Sequence, residues 1–138
     1  MVAKDIMTKD MVTISQDASL HDAGQLIKEK RINGVPIVDE EKNLLGIITL
    51  TDLLNIINVL SKKMDMNQED HINHLRNLFK EKKVKEFMVK KVESLKEDSN
   101  LTDIMNLMFN KKIHTIPILN DNKLVGVLGK HDLEQVFF

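Results

Sequence analysis

Val35-Pro36-Ile37-Val38 returns later in the chain as Ile116-Pro117-Ile118-Leu119, and these two phrases hold the only prolines among 138 residues. The prolines stand 81 residues apart, and the same offset pairs Lys4 with Lys85, Met7 with Met88 and Lys9 with Lys90. It also pairs Asp17 with Asp98, Leu20 with Leu101, Asp22 with Asp103, Leu26 with Leu107, Lys30 with Lys111 and Ile32 with Ile113. One residue is dropped in the turn near Glu41. At an offset of 80, Leu44, Gly46, Asp52 and Leu53 then meet Leu124, Gly126, Asp132 and Leu133. Matches sustained at a nearly fixed offset mark an internal repeat, which governs how every element is read.

Each copy reads as strand, helix, strand, strand, helix. Met11 to Ile14 is a short β-type run, and Ser19 with Asp22 forms a capping-box pair that starts a helix. Leu20, Ala23, Leu26 and Ile27 supply that helix's apolar face, as Leu101, Ile104, Met105 and Met108 do in the second copy. Asn33-Gly34 is expected to close the helix, since both residues tolerate left-handed backbone. Val35–Val38 and Leu44–Thr49 are β-branched runs joined by a charged turn, which predicts a hairpin. Leu53, Ile56, Ile57 and Leu60 recur at helical spacing after it.

A unit this small exposes an apolar face that its sister copy can cover. The expected fold is therefore α/β (α+β): two tandem β-α-β-β-α repeats, 1–60 and 84–138, packed as one pseudo-twofold module. A helical linker, 61–83, joins them. There Asn67 caps a helix with Asp70 at its third position, and Ile72, Leu75, Leu78 and Phe79 form a stripe. That stripe either packs on its own module or meets a partner.

Composition excludes several function classes. Hydrophobic residues make up 42% and charged residues 30%, as in a folded soluble domain, and a net charge of −1 offers no basic face to nucleic acid or lipid. With no cysteine there are no disulfides, thiolate metal sites or cysteine nucleophiles, which fits a cytoplasmic location. No apolar run is long enough for a membrane span and no signal-peptide core follows Met1. Five Phe without Trp or Tyr leave little for base stacking, and eight Met suit core gaps.

Chemistry concentrates in Gly46-Ile47-Ile48-Thr49-Leu50-Thr51-Asp52, at a strand-to-helix junction. Glycine lets backbone approach a bound group, a hydroxyl and the first-turn N–H groups can hold phosphate, and a carboxylate can accept from a ribose diol. Taken alone, Thr49 with Asp52 is equally an ordinary helix N-cap.

The phrase ends each repeat, following a hydrophobic strand pair, and there the chain resembles the CBS domain family of regulatory modules named after cystathionine β-synthase. The family shares Gly, two hydrophobic positions, Thr or Ser, two variable positions and Asp, and its repeats occur in tandem. The resemblance covers about 3–60 and 84–138. It implies a compact pair, or Bateman module, with two clefts that commonly bind AMP, ADP, ATP or S-adenosylmethionine. It further implies that Thr49 contacts phosphate, that Asp52 contacts ribose and that Thr13 lies near the ligand. The backbone around Asn33, Gly34, Val35 and Pro36 would read adenine, with Ile116 at the position matching Val35.

The second copy departs from the pattern. In Gly126-Val127-Leu128-Gly129-Lys130-His131-Asp132 the carboxylate is kept, but glycine replaces the hydroxyl. Lys130 and His131 either add positive charge for phosphate or are, respectively, solvated and packed. His114 matches Asn33 and either edges the second cleft or is a partly buried, hydrogen-bonded histidine. His71 and His74 lie three apart on the linker helix, where a solvated face is the plainer reading than a metal pair lacking further ligands. His21, in a helix first turn, carries no specific implication.

The expected function is adenosyl-nucleotide sensing, with the first copy's site the better one and the ligand shifting the geometry of a homodimer or partner. The alternative is a ligand-free scaffold for dimerisation or docking. No nucleophile–base constellation or glycine-rich phosphate-transfer loop is visible, so neither a catalytic nor a metal site is expected. Many family modules are attached to an enzyme, channel or transporter. This chain shows no effector domain, so it acts in trans or is a piece of a longer protein.

Overall fold

A computed structural model describes residues 1–64 and 67–138. Its elements follow the repeat: α1 (Ala3–Ile6), α2 (Leu20–Lys30), β1 (Gly34–Val38), β2 (Leu44–Thr49), α3 (Leu50–Ser61), α4 (Gln68–Glu81), β3 (Leu95–Lys96), α5 (Leu101–Met105), β4 (Ile116–Asn120), β5 (Lys123–Leu128) and α6 (Lys130–Phe137). A single π-helical stretch, Asn106–Asn110, continues α5 where the first copy keeps regular α-helix.

Both hairpins are antiparallel, with Gly34 opposite Thr49 and Ile116 opposite Leu128. β3 runs parallel to β4. The expected Met11–Ile14 strand shrinks to one parallel bridge between Ile14 and Ile37. Met11 and Val12 instead enter a cleft.

Helix starts follow local chemistry. Ser19 and Asp22 cap each other reciprocally at 2.9 and 3.2 Å, as do Asn100 and Asp103 at 2.9 and 3.3 Å. Asn67 caps α4 by accepting from the Asp70 N–H at 3.0 Å. The end of α2 differs from expectation. Arg31, not the Asn33-Gly34 pair, takes the left-handed conformation (φ 54°), and Lys112 repeats it in the second copy (φ 57°). Gly34 is needed for space: a Cβ there would lie 3.1 Å from Thr49 Cγ2 and 3.2 Å from the Ile48 carbonyl.

The linker helix α4 packs on α2 and α3, so its stripe turns inward. Leu75, Leu78 and Phe79 are half-buried, while Ile72 is exposed. His71 meets Ser61 Oγ at 2.8 Å and ties the start of α4 to the end of α3. Among the described residues no group of three or more His, Asp or Glu is placed to hold a metal ion. No helix among them is long and apolar enough to cross a membrane.

Two hydrophobic cores form, and each borrows from the other copy. Leu20, Ala23, Ile37, Ile48 and Leu53 pack with Val84, while Ile104, Met108, Ile118 and Leu128 pack with Ala3. Val84 and Ala3 are both fully buried. Backbone bonds fasten the exchanged segments: the Val84 N–H to the Ala18 carbonyl at 2.9 Å, and the Ala3 N–H to the Ser99 carbonyl at 2.8 Å. The hairpin turns also meet near the pseudo-twofold axis, where the Leu44 N–H donates to Asn122 and the Leu124 N–H to Lys42, at 3.1 and 2.9 Å.

Candidate functional site

The exchange places two clefts between the copies. One, of 450 Å³, is lined by Thr49, Leu50, Thr51 and Asp52 of the first copy and by Val89, Lys91–Glu93 and Lys112–Thr115 of the second. The other, of 460 Å³, is lined by Gly129–Asp132 and by Thr8, Asp10–Val12, Lys30–Gly34 and Pro36. Both volumes suit a small ligand. Asn33, His114 and Thr115 border both.

Candidate residues of the first copy are thus divided. Thr49 and Asp52 face the Asp52 cleft, whereas Gly34 and Pro36 face the Asp132 cleft. Val35 and Ile116 line neither cleft, being fully buried in the two cores. Thr13 lines a separate depression with Asp17 and Asp39, where the chain leaves the cleft after Val12. Lys130 and His131 both line the Asp132 cleft, with His114 at its border. His131 is not packed: its side chain is 77% exposed, with Nδ1 3.6 Å from Glu134 Oε1. His114 is exposed as well.

Sequence reasoning missed the opposite walls. Val89, Lys91, Val92, Lys112 and Ile113 carry no motif, although the offset pairs them with Thr8, Asp10, Met11, Arg31 and Ile32 in the other cleft. The glycines of the repeated phrase also have another role. Gly46 is covered by Met88 and Gly126 by Met7, so they make room for crossing methionines and not for a ligand.

The junction at Thr49 is an N-cap that retains unused polar capacity. Thr49 Oγ1 accepts from the Asp52 N–H at 3.1 Å, and Asp52 Oδ2 accepts from the Thr49 N–H at 2.9 Å. A hydroxyl that accepts still has its proton to give, and a carboxylate has a second oxygen. The anion-binding capacity of the turn is smaller than expected, because the Leu50 N–H already donates to the Asn33 carbonyl at 2.9 Å. The Thr49 hydroxyl proton and the Thr51 N–H remain, with no acceptor among the described residues. The apolar floor comprises Ile47, Val89, Val92 and Ile113. Two lysines, Lys91 and Lys112, and two carboxylates, Asp52 and Glu93, line the same cleft, leaving formal charges balanced.

At the Asp132 junction Gly129 has no hydroxyl, and its N–H donates to Asp132 Oδ2 at 2.7 Å. The other carboxylate oxygen accepts from Thr8 Oγ1 at 2.6 Å. Similar in volume, the two clefts differ in what their carboxylates have left to offer.

A family model described as "CBS domain" matches residues 3–59 and 84–137. The inosine-5'-monophosphate dehydrogenase of Methanocaldococcus jannaschii is 32% identical over 132 residues, which is 95% of this chain and 22% of that protein. The chain thus spans about a fifth of that enzyme's length. The crystal structure of the CBS domain pair of protein MJ0100, in complex with 5'-methylthioadenosine and S-adenosyl-L-methionine, superposes with a TM-score of 0.75 at 26% identity, covering 99% of this chain and 95% of that one. The structure of CBSX2 in complex with AMP gives a TM-score of 0.76 at 23% identity, over 98% and 94% of the two chains. CBSX2 is a protein of Arabidopsis thaliana.

Proposed function

The chain belongs to the CBS domain family, and from that premise we propose that it is a regulatory module that binds an adenosyl nucleotide in the Asp52 cleft. One observation carries the reading. After capping α3, Thr49 keeps a hydroxyl proton and Asp52 keeps one carboxylate oxygen, both at the mouth of a cleft with an aliphatic floor. A phosphate or a polar substituent on the ligand takes the former and a ribose diol the latter, while the base lies against Val92 and Ile113. The CBS pair of MJ0100, which binds two adenosyl compounds, supports the ligand class.

The repeats 1–60 and 84–138, joined by 61–83, act as one unit without catalysis of their own. Binding across both copies is the means of regulation, because each cleft is walled by both and a ligand there favours one relative placement of them. We place the module in the cytoplasm as a homodimer acting on a partner protein. Exposed Phe109, Val136 and Phe137 leave apolar surface for such contacts.

Calorimetric titration with AMP, ADP, ATP and S-adenosylmethionine tests the proposal on protein freed of co-purifying adenine, which shows at 260 nm in a chain without Trp or Tyr. At least one should bind and raise the melting temperature. Ligand at 100 times its dissociation constant adds roughly 2.7 kcal/mol. Binding of none would leave the ligand-free scaffold as the better account.

A further inference from the structure

We infer that Thr8 closes the Asp132 cleft to a ribose, so that the chain takes one adenosyl ligand and not two. The inference rests on the adenosyl-binding reading of the Asp52 cleft. It assigns a specificity-determining role to a residue outside the repeated motif.

Size does not separate the clefts, at 450 and 460 Å³. Their carboxylates do. Asp132 spends Oδ2 on the Gly129 N–H and Oδ1 on the Thr8 hydroxyl, the latter a short bond of 2.6 Å to a charged acceptor. Asp52 spends Oδ2 on the Thr49 N–H, and Oδ1 receives no hydrogen bond from any described residue. The residue equivalent to Thr8 is Val89, which lines the Asp52 cleft. Valine and threonine have nearly the same shape, so the difference is a methyl for a hydroxyl.

The backbone around the two positions is equivalent. Thr8 exchanges N–H and carbonyl bonds with Val127 at 2.9 and 3.0 Å, and Val89 exchanges them with Ile47 at 2.9 and 3.0 Å. A ribose hydroxyl reaching Asp52 finds an oxygen that no protein group holds. One reaching Asp132 meets an oxygen that the Thr8 hydroxyl already holds and competes with it for the same charge, so its bond gains less. Thr8 is therefore an internal stand-in for the ribose.

Stoichiometry by calorimetry with AMP and with S-adenosylmethionine tests this on the full chain. The unaltered protein should bind one per chain. Thr8→Val should bind a second, weaker than the first because position 129 lacks a hydroxyl, whereas Thr8→Ser should stay at one. Conversely, Val89→Thr should weaken the single event by roughly tenfold, as a competing bond to a charged group implies. Two equal events in the unaltered protein would overturn the inference. So would a Thr8→Val variant that stays at one, or a Val89→Thr variant that binds as tightly as its parent; all three leave the proposed function standing. An unaltered protein that binds none of the four adenosyl ligands overturns both.

Discussion

Met88 lies over Gly46 so closely that a Cβ on that glycine would stand 2.8 Å from its sulfur and 2.8 Å from the Val89 carbonyl oxygen. At Gly126 the nearest neighbours of such a Cβ are all side-chain atoms of Met7. A methionine can swing aside, but a carbonyl bonded into the Ile47 bridge cannot. Gly46→Ala should therefore cost about 2 kcal/mol and Gly126→Ala about 1 kcal/mol, within the usual range for overpacking. Urea unfolding of the two variants reads the order.

The borrowed residues make a spatial prediction. Val84→Ala removes a fully buried side chain from the core of β1 and β2, although its own copy contains β4 and β5. It should destabilise by about 2 kcal/mol, the scale for burying a valine. Native-state hydrogen exchange should quicken first in Val35–Val38 and Leu45–Ile48, ahead of β4. Faster exchange in β4 first would contradict the segment exchange.

Asp52→Ala should weaken AMP binding by roughly tenfold to a hundredfold, the value of a hydrogen bond to a charged group, and Asp132→Ala far less. Each loses a similar helix cap of about 1 kcal/mol, and Asp132→Ala also loses the Thr8 bond, so the unliganded Asp132→Ala variant should melt lower than Asp52→Ala. Titration calorimetry separates the binding effect from the cap.

Acid should loosen the exchanged segment at Asp17. Its carboxyl is held below the usual aspartate range by the hydrogen bond from Lys85 at 3.0 Å, then by that lysine's charge, with Lys83 adding to it. The folded state thus holds its proton less tightly than the unfolded chain, so the contribution is present above the ordinary aspartate pKa. It is lost as pH falls through the depressed folded value. Asp17→Asn should be slightly less stable than its parent near neutrality, and the gap should close in acid, below the ordinary aspartate range. The pair is exposed, so added salt should also narrow it. Thermal melts across pH and salt measure this.

Much of the fold is legible in sequence because it is decided locally. Ser19 with Asp22, Thr49 with Asp52 and Asn67 with Asp70 state their helix starts within four residues, and the doubled proline phrase marks both hairpins. The clefts are less legible because their walls are distant in sequence. Nothing near Thr49 announces Val92 or Ile113 as its neighbours; that follows from the bridges of Thr8 to Val127 and Val89 to Ile47. Thr13 follows Val12 directly yet lines a different depression, a placement that sequence adjacency does not announce. The hydroxyl of Thr8 carried no signal until Asp132 stood beside it.

The borrowed opening segments have one more consequence. Two separate but identical units trading such segments would form a symmetric dimer, and symmetry would oblige both clefts to be the same. Here both partners of the trade lie on one chain, and each position has a twin that can vary independently. Valine can stand at 89 while threonine stands at 8, and glycine at 129 while threonine stands at 49. Joining the two units lets the two clefts diverge residue by residue, which a pair of identical subunits cannot do.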